Sequence, residues 1–344
     1  MTPHDADATP VDEAGGAGRS PTRDDLEREI LGEVPELTST EVVEAAGGSL
    51  QDARRLWRAL GFADAGEAAA FTHADRDAMA TLVRLVSSGT LDFETALKLT
   101  RAVGSTLARL ADWQVATLSE YIEQLEHDGR GTGSRLATGL RIIRAVEPPF
   151  EELMMYAWRR HLAAAVTRVE ALGASDSDLH TVSVTAGFAD LVSFTRLSAG
   201  IDEDRLADLV EDFESECADL VAARGGRVIK TLGDSVLFIT QEVTAGVDIA
   251  LDIVDAIGAD AQRPDVHVGL ATGPVVMRLG DVFGSPVNMA SRLTDVARRN
   301  RVISDPETAA AVSGNDAYVV RALTEREIRG FGVVQPISIR RKHG

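Results

Sequence analysis

The sequence predicts an α+β protein in which an all-helical N-terminal half precedes a half that mixes strands with helices. From Leu26 to about Val146, apolar residues recur at helical spacing with short glycine breaks. From Thr181 onward, short alternating apolar segments are interleaved with helical ones. The 344 residues are enough for two domains of ordinary size.

The chain divides into four predicted segments. Residues 1–25 carry almost no large apolar side chains, and this composition predicts a disordered tail. A helical domain is expected over 26–150, where Pro148 and Pro149 would end it. The helical pattern that restarts at Glu151 predicts a connector helix over 151–174, and the mixed domain follows over 178–344.

Charge and composition narrow the class of protein. A net charge of −19 repels duplex DNA and anionic membrane surfaces, so a nucleotide substrate would need metal ions or a locally basic pocket. The single cysteine, Cys217, occupies an apolar helical position and is expected to be a core residue. No segment approaches the roughly 20 apolar residues that span a bilayer. These features predict a cytoplasmic protein that inserts into no membrane and binds no nucleic acid.

Two pairs of polar residues are candidates for chemistry. Asp190 and Asp234 each stand at the edge of an apolar strand, where two converging carboxylates would hold magnesium ions against a triphosphate. Taken singly, either aspartate is more often an ordinary turn residue. Asn288 and Arg292 are four residues apart on one helix, so they share a face that suits ribose and phosphate oxygens. For this pair alone, an amide and an arginine on a solvated helix face are the favoured interpretation.

Three motifs occur together in one order: FADLVSFT, IKTLGDSVLF and DVFGSPVNMASR. With these motifs, residues 178–344 resemble the class III nucleotidyl cyclase family. The resemblance implies a ferredoxin-like catalytic domain. It assigns Asp190 and Asp234, together with the Leu191 carbonyl, to two Mg²⁺ or Mn²⁺ ions per site. It also assigns Lys230 and Asp281 to the adenine edge.

Further roles follow from the same resemblance. Asn288 would orient the ribose, and Arg292 would stabilise charge on the α-phosphate. Phe194 and Thr195 are additional substrate-binding positions. Many relatives have a triphosphate-binding lysine in a late segment where this chain has Phe331, so Arg329 or another basic residue is expected to replace it. A milder change is Ser193, at a position where relatives often have glycine.

The implied reaction converts ATP into 3',5'-cyclic AMP and pyrophosphate. In the family, the metal aspartates come from one subunit and the other residues from its partner, which implies a homodimer with two identical sites. A lysine donates to adenine N1 and an aspartate accepts from the N6 amino group, whereas guanine reverses this pattern. The pair Lys230 and Asp281 therefore predicts an adenylyl cyclase. A guanylyl or mixed-substrate cyclase is the alternative.

The N-terminal half has competing interpretations. Residues 38–75 resemble the helix-turn-helix of MerR-like regulators, with Arg54, Arg55 and Arg58 on the second helix. Because the flanking sequence is acidic, a helical regulatory module is favoured over DNA binding. A catalytically idle sensor with a MerR-like DNA-binding domain is the remaining alternative.

A helical domain before a cyclase domain also resembles actinobacterial cyclases that respond to pH or to fatty acid. By that resemblance, Met154, Met155 and His161 in the connector are candidate regulatory residues. Histidine side chains titrate near neutral pH, which makes His161 a candidate proton sensor, although a packed or solvated histidine is equally typical. A fatty acid is a candidate ligand of the helical domain, whose apolar residues are also typical of an ordinary core.

Overall fold

The computed structural model describes residues 20–171, 181–198, 200–258, 263–278 and 280–342. The chain forms two compact units, Met1–Ala163 and Ala164–Gly344. The division falls within a helix, because α6, the last helix of the helical half, spans Arg135–Ala171. No helix in the described ranges is long and apolar enough to cross a membrane.

The N-terminal unit consists of helices whose starts are fixed by side-chain caps. Thr22, Thr38 and Thr72 each form a capping box with the acidic residue three positions later. The helices of this half are α1 Arg23–Leu31, α2 Ser39–Ala46, α3 Leu50–Leu60, α4 His73–Ser87, α5 Phe93–His127 and α6 Arg135–Ala171. Helix α1 begins inside the predicted tail, so that prediction is wrong for residues 23–25, whereas residues 1–19 lie outside the described residues.

The core of this unit lies among α2, α3, α4 and the start of α5. Val42 and Leu56 are almost completely buried there. The rings of Trp57 and Phe71 stack with centroids 4.4 Å apart. The unit therefore has an apolar core of its own, built from helix faces with the spacing seen in the sequence.

Helix α6 contradicts the expectation that Pro148 and Pro149 end the helical domain. Both prolines lie inside one continuous helix of 37 residues. The fixed φ of proline is compatible with helical geometry, and its cost is a missing amide hydrogen. Both prolines are exposed, as are Arg144 and Ala145 one turn earlier, so water can bind the carbonyl groups that lose their partners.

The C-terminal unit alternates strands with helices, as predicted. Its elements are β1 Thr181–Leu191, α7 Phe194–Ser198, α8 Glu203–Ala223, β2 Arg227–Thr231, β3 Ser235–Thr240, α9 Val243–Gly258, β4 Val266–Arg278, β5 Asp281–Phe283, α10 Ser285–Val296, β6 Arg301–Ser304, α11 Pro306–Val312, β7 Tyr318–Ala322, β8 Arg326–Ile328, β9 Gly332–Val334 and β10 Ile337–Arg341. The short strands β5, β8 and β9 were not predicted from the sequence.

Eight of the strands form one mixed sheet in the order β2-β3-β1-β4-β6-β10-β7, with β5 paired to β4. Strands β4 and β6 are parallel and are connected through α10. Each face of the sheet has its own apolar cluster: the neighbours Leu237 and Phe238 belong to different clusters, as alternation along a strand requires. Helices α8 and α9 cover one face and α10 covers the other, which confirms the α+β fold class.

Candidate functional site

Asp190 and Asp234 lie side by side because their strands are neighbours in the sheet. Asp190 is opposite Ser235 in the antiparallel pair β1–β3. The Leu191 amide donates to the Asp234 carbonyl at 3.0 Å, and the Ser235 hydroxyl donates to Asp190 Oδ1. Gly233, at φ 69°, makes the tight turn that places Asp234 at the start of β3. The structure therefore brings together the two carboxylates that the sequence singled out.

The electrostatics of this pair suit a cation. Burial and the nearby charge of Asp190 raise the pKa of Asp234 above its ordinary value. A divalent cation between the two groups would relieve that repulsion, and carboxylate oxygens are ligands that Mg²⁺ and Mn²⁺ accept. Leu191 has a buried side chain, so its backbone carbonyl is the group it would offer. No cluster of three or more His, Cys, Asp or Glu suited to a metal occurs among the described residues.

His267 is a site residue that sequence reasoning missed. Its Nε2 lies 3.0 Å from Asp190 Oδ2, and its Nδ1 lies 3.1 Å from the Ala297 carbonyl oxygen. Burial lowers the pKa of His267, but the hydrogen bonds to Asp190 and Ala297 outweigh it, and the pKa is raised overall. Both ring nitrogens face oxygen acceptors, which only the imidazolium form can satisfy as a double donor. The available signal was a titratable residue near the start of the mostly apolar strand β4.

Lys230 and Asp281 form a second, separate group in the same chain. Lys230 lies in β2 and Asp281 opens β5, and Lys230 Nζ donates to Asp281 Oδ2 at 2.6 Å. Burial raises the pKa of Asp281, but the hydrogen bonds from Lys230 and from the Val282 amide lower it by more. The pKa of Asp281 is therefore below its ordinary value. Both side chains stay about one third exposed, at 35% and 29%. The structure therefore joins the two predicted base-selecting residues.

Asn288 and Arg292 share the solvent-facing side of α10. The opposite side of this helix is buried through Val287, Ala290 and Leu293. Arg292 Nη1 donates to Asp295 Oδ2 at 3.1 Å, and the Arg292 side chain is 45% exposed. Arg292 would have to break its contact with Asp295 before its guanidinium could bind a phosphate.

The remaining predicted substrate residues are dispersed. Phe194 is half-buried and packs against the core cluster beside α8. Thr195 follows it in α7, and its side chain lies outside the described part of the chain. Arg329 is exposed in the turn between β8 and β9, next to Gly330 at φ 87°. The structure brings none of the three into contact with the Lys230–Asp281 pair among the described residues.

The arginines that suggested DNA binding have partners within their own unit. Arg55 Nη2 donates to Glu94 Oε1 at 2.7 Å, and its guanidinium lies over the ring of Phe93. Arg54 Nε lies 4.0 Å from Asp64 Oδ2. Arg58 Nε donates to the Arg54 carbonyl oxygen at 3.1 Å. A guanidinium that is paired with a carboxylate, as that of Arg55 is, contributes less to the basic stripe that a duplex requires. In the connector part of α6, Met154, Met155 and His161 are all exposed.

The chain is similar to cyclases both in its C-terminal half and over most of its length. Residues 178–339 match the adenylate and guanylate cyclase catalytic domain. The chain is 38% identical to an adenylate cyclase of Streptomyces coelicolor, over 98% of this chain and 94% of that protein. It is 28% identical to a pH-sensitive adenylate cyclase of Mycobacterium tuberculosis, over 89% of this chain and 78% of that protein.

Among solved structures, the catalytic core of a rhodopsin-guanylyl cyclase with converted specificity, in complex with ATPαS, is 24% identical. It covers 48% of this chain and 98% of its own length, with a TM-score of 0.45. The family assignment comes from the sequence matches, which extend over both halves of the chain. The chain belongs to the class III adenylate and guanylate cyclase family.

Proposed function

We propose that the protein is an adenylyl cyclase that converts ATP into 3',5'-cyclic AMP and pyrophosphate. The observation that carries the choice of substrate is the contact between Lys230 and Asp281. An ammonium donor beside a carboxylate acceptor matches N1 and the N6 amino group of adenine. The adenylate cyclase of Streptomyces coelicolor, similar over nearly the full length, supports the same substrate.

In the reaction, the ribose 3'-oxygen forms a bond to the α-phosphorus, and the bond from that phosphorus to the bridging oxygen of the β-phosphate breaks. Two Mg²⁺ or Mn²⁺ ions, when bound, would lower the pKa of the ribose hydroxyl and stabilise charge on the leaving phosphates. Asp190, Asp234 and the Leu191 carbonyl would hold them. Asn288 would orient the ribose, and Arg292 would stabilise negative charge on the α-phosphate.

We further propose that the enzyme works as a homodimer with shared sites. Asp190 lies near the end of β1 and Asp234 just before β3, whereas Asn288 and Arg292 lie on α10. Lys230 contacts Asp281 rather than either of these carboxylates. Each site would take its two carboxylates from one copy and its remaining residues from the other. A two-fold dimer would then contain two identical sites.

Mixing two inactive variants tests this arrangement. Asp234→Ala and Arg292→Ala should each be nearly inactive, and an equal mixture that exchanges subunits should recover up to about a quarter of the normal activity. Half of the dimers would be mixed, and each mixed dimer would retain one intact site. A mixture that forms hybrid dimers, detected with two affinity tags, but stays inactive would exclude shared sites.

We also propose that the helical half regulates the cyclase, through Met154, Met155 and His161 on α6. The exposure of all three side chains and the similarity to a cyclase named pH-sensitive support this. A fatty acid ligand has weaker support. The apolar cavity between α3 and α4, lined by Leu56, Met79 and others, has a volume of about 140 Å³, which is below the usual size of small-molecule sites.

A further inference from the structure

The middle of helix α5 is not part of the core of its unit. Near its start the helix is held against α3, because a Cβ atom on Gly104 would lie 2.5 Å from the Leu60 backbone. Near its end Leu125 is buried, and Thr138 of α6 donates to Glu126. Between Gly104 and Leu125, a stretch that the structure describes in full, no residue of α5 is buried. About 30 Å of helix therefore contributes no buried side chain to its own unit.

One apolar stripe runs along this helix, with a single polar member, Gln114. Its residues follow one another at spacings of three or four, which places them on one face of the helix. The stripe consists of Leu99, Val103, Leu107, Leu110, Gln114, Leu118 and Tyr121. Leu99 is 55% exposed, Val103 49% and Leu107 48%. Apolar side chains on a protein surface are normally scattered singly, whereas a contiguous exposed patch marks an interaction site.

The charges of α5 change sign near the middle of the apolar stripe. Residues 95–111 include exposed basic side chains, among them Arg101 and Arg109, and no acidic residue. Residues 112–126 include acidic side chains and no lysine or arginine. The midpoint of the stripe is Leu110, so the apolar pattern and the reversal of charge have nearly the same centre.

We infer that the apolar stripe of α5 packs against α5 of a second copy of this chain, antiparallel, about a two-fold axis near Leu110. A two-fold contact requires a surface that is complementary to itself. In the antiparallel arrangement, the two stripes cover each other and the basic half of each helix lies along the acidic half of its partner. A parallel arrangement would cover the same stripe but would place like charges side by side. Flanking charges set the partner and the direction of paired helices, and here they select a second copy in the antiparallel direction.

This contact is separate from the shared catalytic sites proposed above and does not rest on them. All of its residues lie in the N-terminal unit. Two copies joined through α5 stay together whether or not their catalytic halves form shared sites. A linkage within α5 can therefore be measured in a chain that cyclises no nucleotide.

Cysteine substitution in the full-length chain tests the contact and its direction. The one native cysteine, Cys217, is completely buried, so an introduced cysteine is the only accessible thiol. With a short bis-maleimide cross-linker, Leu110→Cys should form a covalent dimer by itself. Leu99→Cys and Tyr121→Cys should link to each other when the two variants are co-expressed. Neither should link to its own copy, because these positions would be about 33 Å from their equivalents in antiparallel helices. Ala116→Cys, exposed and away from the stripe, is the matched control and should form no covalent dimer.

A second measurement separates loss of the contact from loss of folding. Leu107→Glu, added to Leu110→Cys, should lower the yield of cross-linked dimer about tenfold or more, because it places a carboxylate in an apolar contact. Ala116→Glu adds the same charge away from the stripe and should leave the yield unchanged. Thermal unfolding curves should show that both variants are folded.

Two outcomes would overturn the inference. Cross-linking of Leu99→Cys to its own copy, and of Tyr121→Cys to its own copy, would show that the two helices are parallel. No cross-linking at Leu110, together with none between Leu99 and Tyr121, would show that no second copy covers the stripe. An equal yield with Leu107→Glu and with Ala116→Glu would also contradict it, since the stripe would then not form the contact.

Discussion

The Lys230 ammonium and the Asp281 carboxylate are 51 positions apart in the sequence and meet at 2.6 Å. Each holds the other in place, and each remains partly exposed. Under the proposed function, the pair would present one donor and one acceptor to a purine without a net charge. These two side chains would then select the base of the substrate.

Replacing both residues should change the preferred base. We expect Lys230→Glu combined with Asp281→Cys to lower kcat/KM for ATP about tenfold to hundredfold, because the hydrogen bonds that involve charged groups are lost. Parallel assays with ATP and GTP measure the effect. Lys98→Glu, at an exposed position of α5, controls for the change of charge. A double variant that keeps its full preference for ATP would show that other residues select the base.

His267 should act on the metal site through Asp190. Its imidazole is held between Asp190 Oδ2 and the Ala297 carbonyl, so it fixes the orientation of the carboxylate. We expect His267→Ala to raise the Mg²⁺ concentration for half-maximal activity about tenfold to hundredfold, as is usual when the residue that orients a ligand is removed. His73→Ala, in the N-terminal unit, should change nothing. An unaltered metal requirement would limit His267 to a packing role.

At the scale of elements, α10 is positioned by its close contact with β4. Thr294 Oγ1 donates to the Phe188 carbonyl of β1 at 3.2 Å. Gly269 allows the approach, because a Cβ atom there would lie within 3.0 Å of the backbone of Ala290 and Thr294. Since α10 carries Asn288 and Arg292, the geometry of the site depends on this glycine.

Gly269→Ala should therefore lower both stability and activity. We expect the free energy of unfolding to fall by about 1–3 kcal/mol, the usual cost of overpacking, and cyclase activity to fall as α10 moves outward. Urea unfolding and the cyclase assay measure the two effects. The control is Gly139→Ala in α6, where the added Cβ would have only an ordinary contact, 3.6 Å from Ile122 Cδ1. Equal stability of the two variants would contradict this account of the packing.

Long periodic elements were predictable from the sequence, whereas short ones were not. The helix α8 shows its apolar face at regular spacing through Phe213, Cys217 and Val221, all of which are buried. Strands β5, β8 and β9 have three residues each, too few to display alternation, and they are defined only by their partners. His267 was missed for a related reason: its partner Asp190 is 77 positions away and adjacent only through the sheet. The motifs predicted the pairing of Asp190 with Asp234 and of Lys230 with Asp281, but not the contact between His267 and Asp190.

For the whole molecule, we expect the helical half to set the pH dependence of activity. With His161 as the proposed proton sensor, His161→Ala in the full-length protein should flatten the activity profile between pH 5.5 and 8. His127→Ala, an exposed histidine at the end of α5, is the control. A thermal unfolding curve should show that the His161 variant is folded. Profiles that coincide for the two variants and the unchanged chain would remove His161 from the mechanism.

The two adjacent prolines in α6 remove backbone hydrogen bonds from the middle of this helix. Pro148 and Pro149 have no amide hydrogen, so the carbonyl oxygens of Arg144 and Ala145 have no donor four residues ahead. The helix is continuous, but two adjacent backbone hydrogen bonds are missing from it. Thermal opening should begin at this gap and spread from it, so the amides on either side should exchange with deuterium sooner than those near Leu140, which is buried in the same helix. These two missing hydrogen bonds lie in the same helix as Met154, Met155 and His161. We therefore expect α6 to open locally most easily just before these three residues.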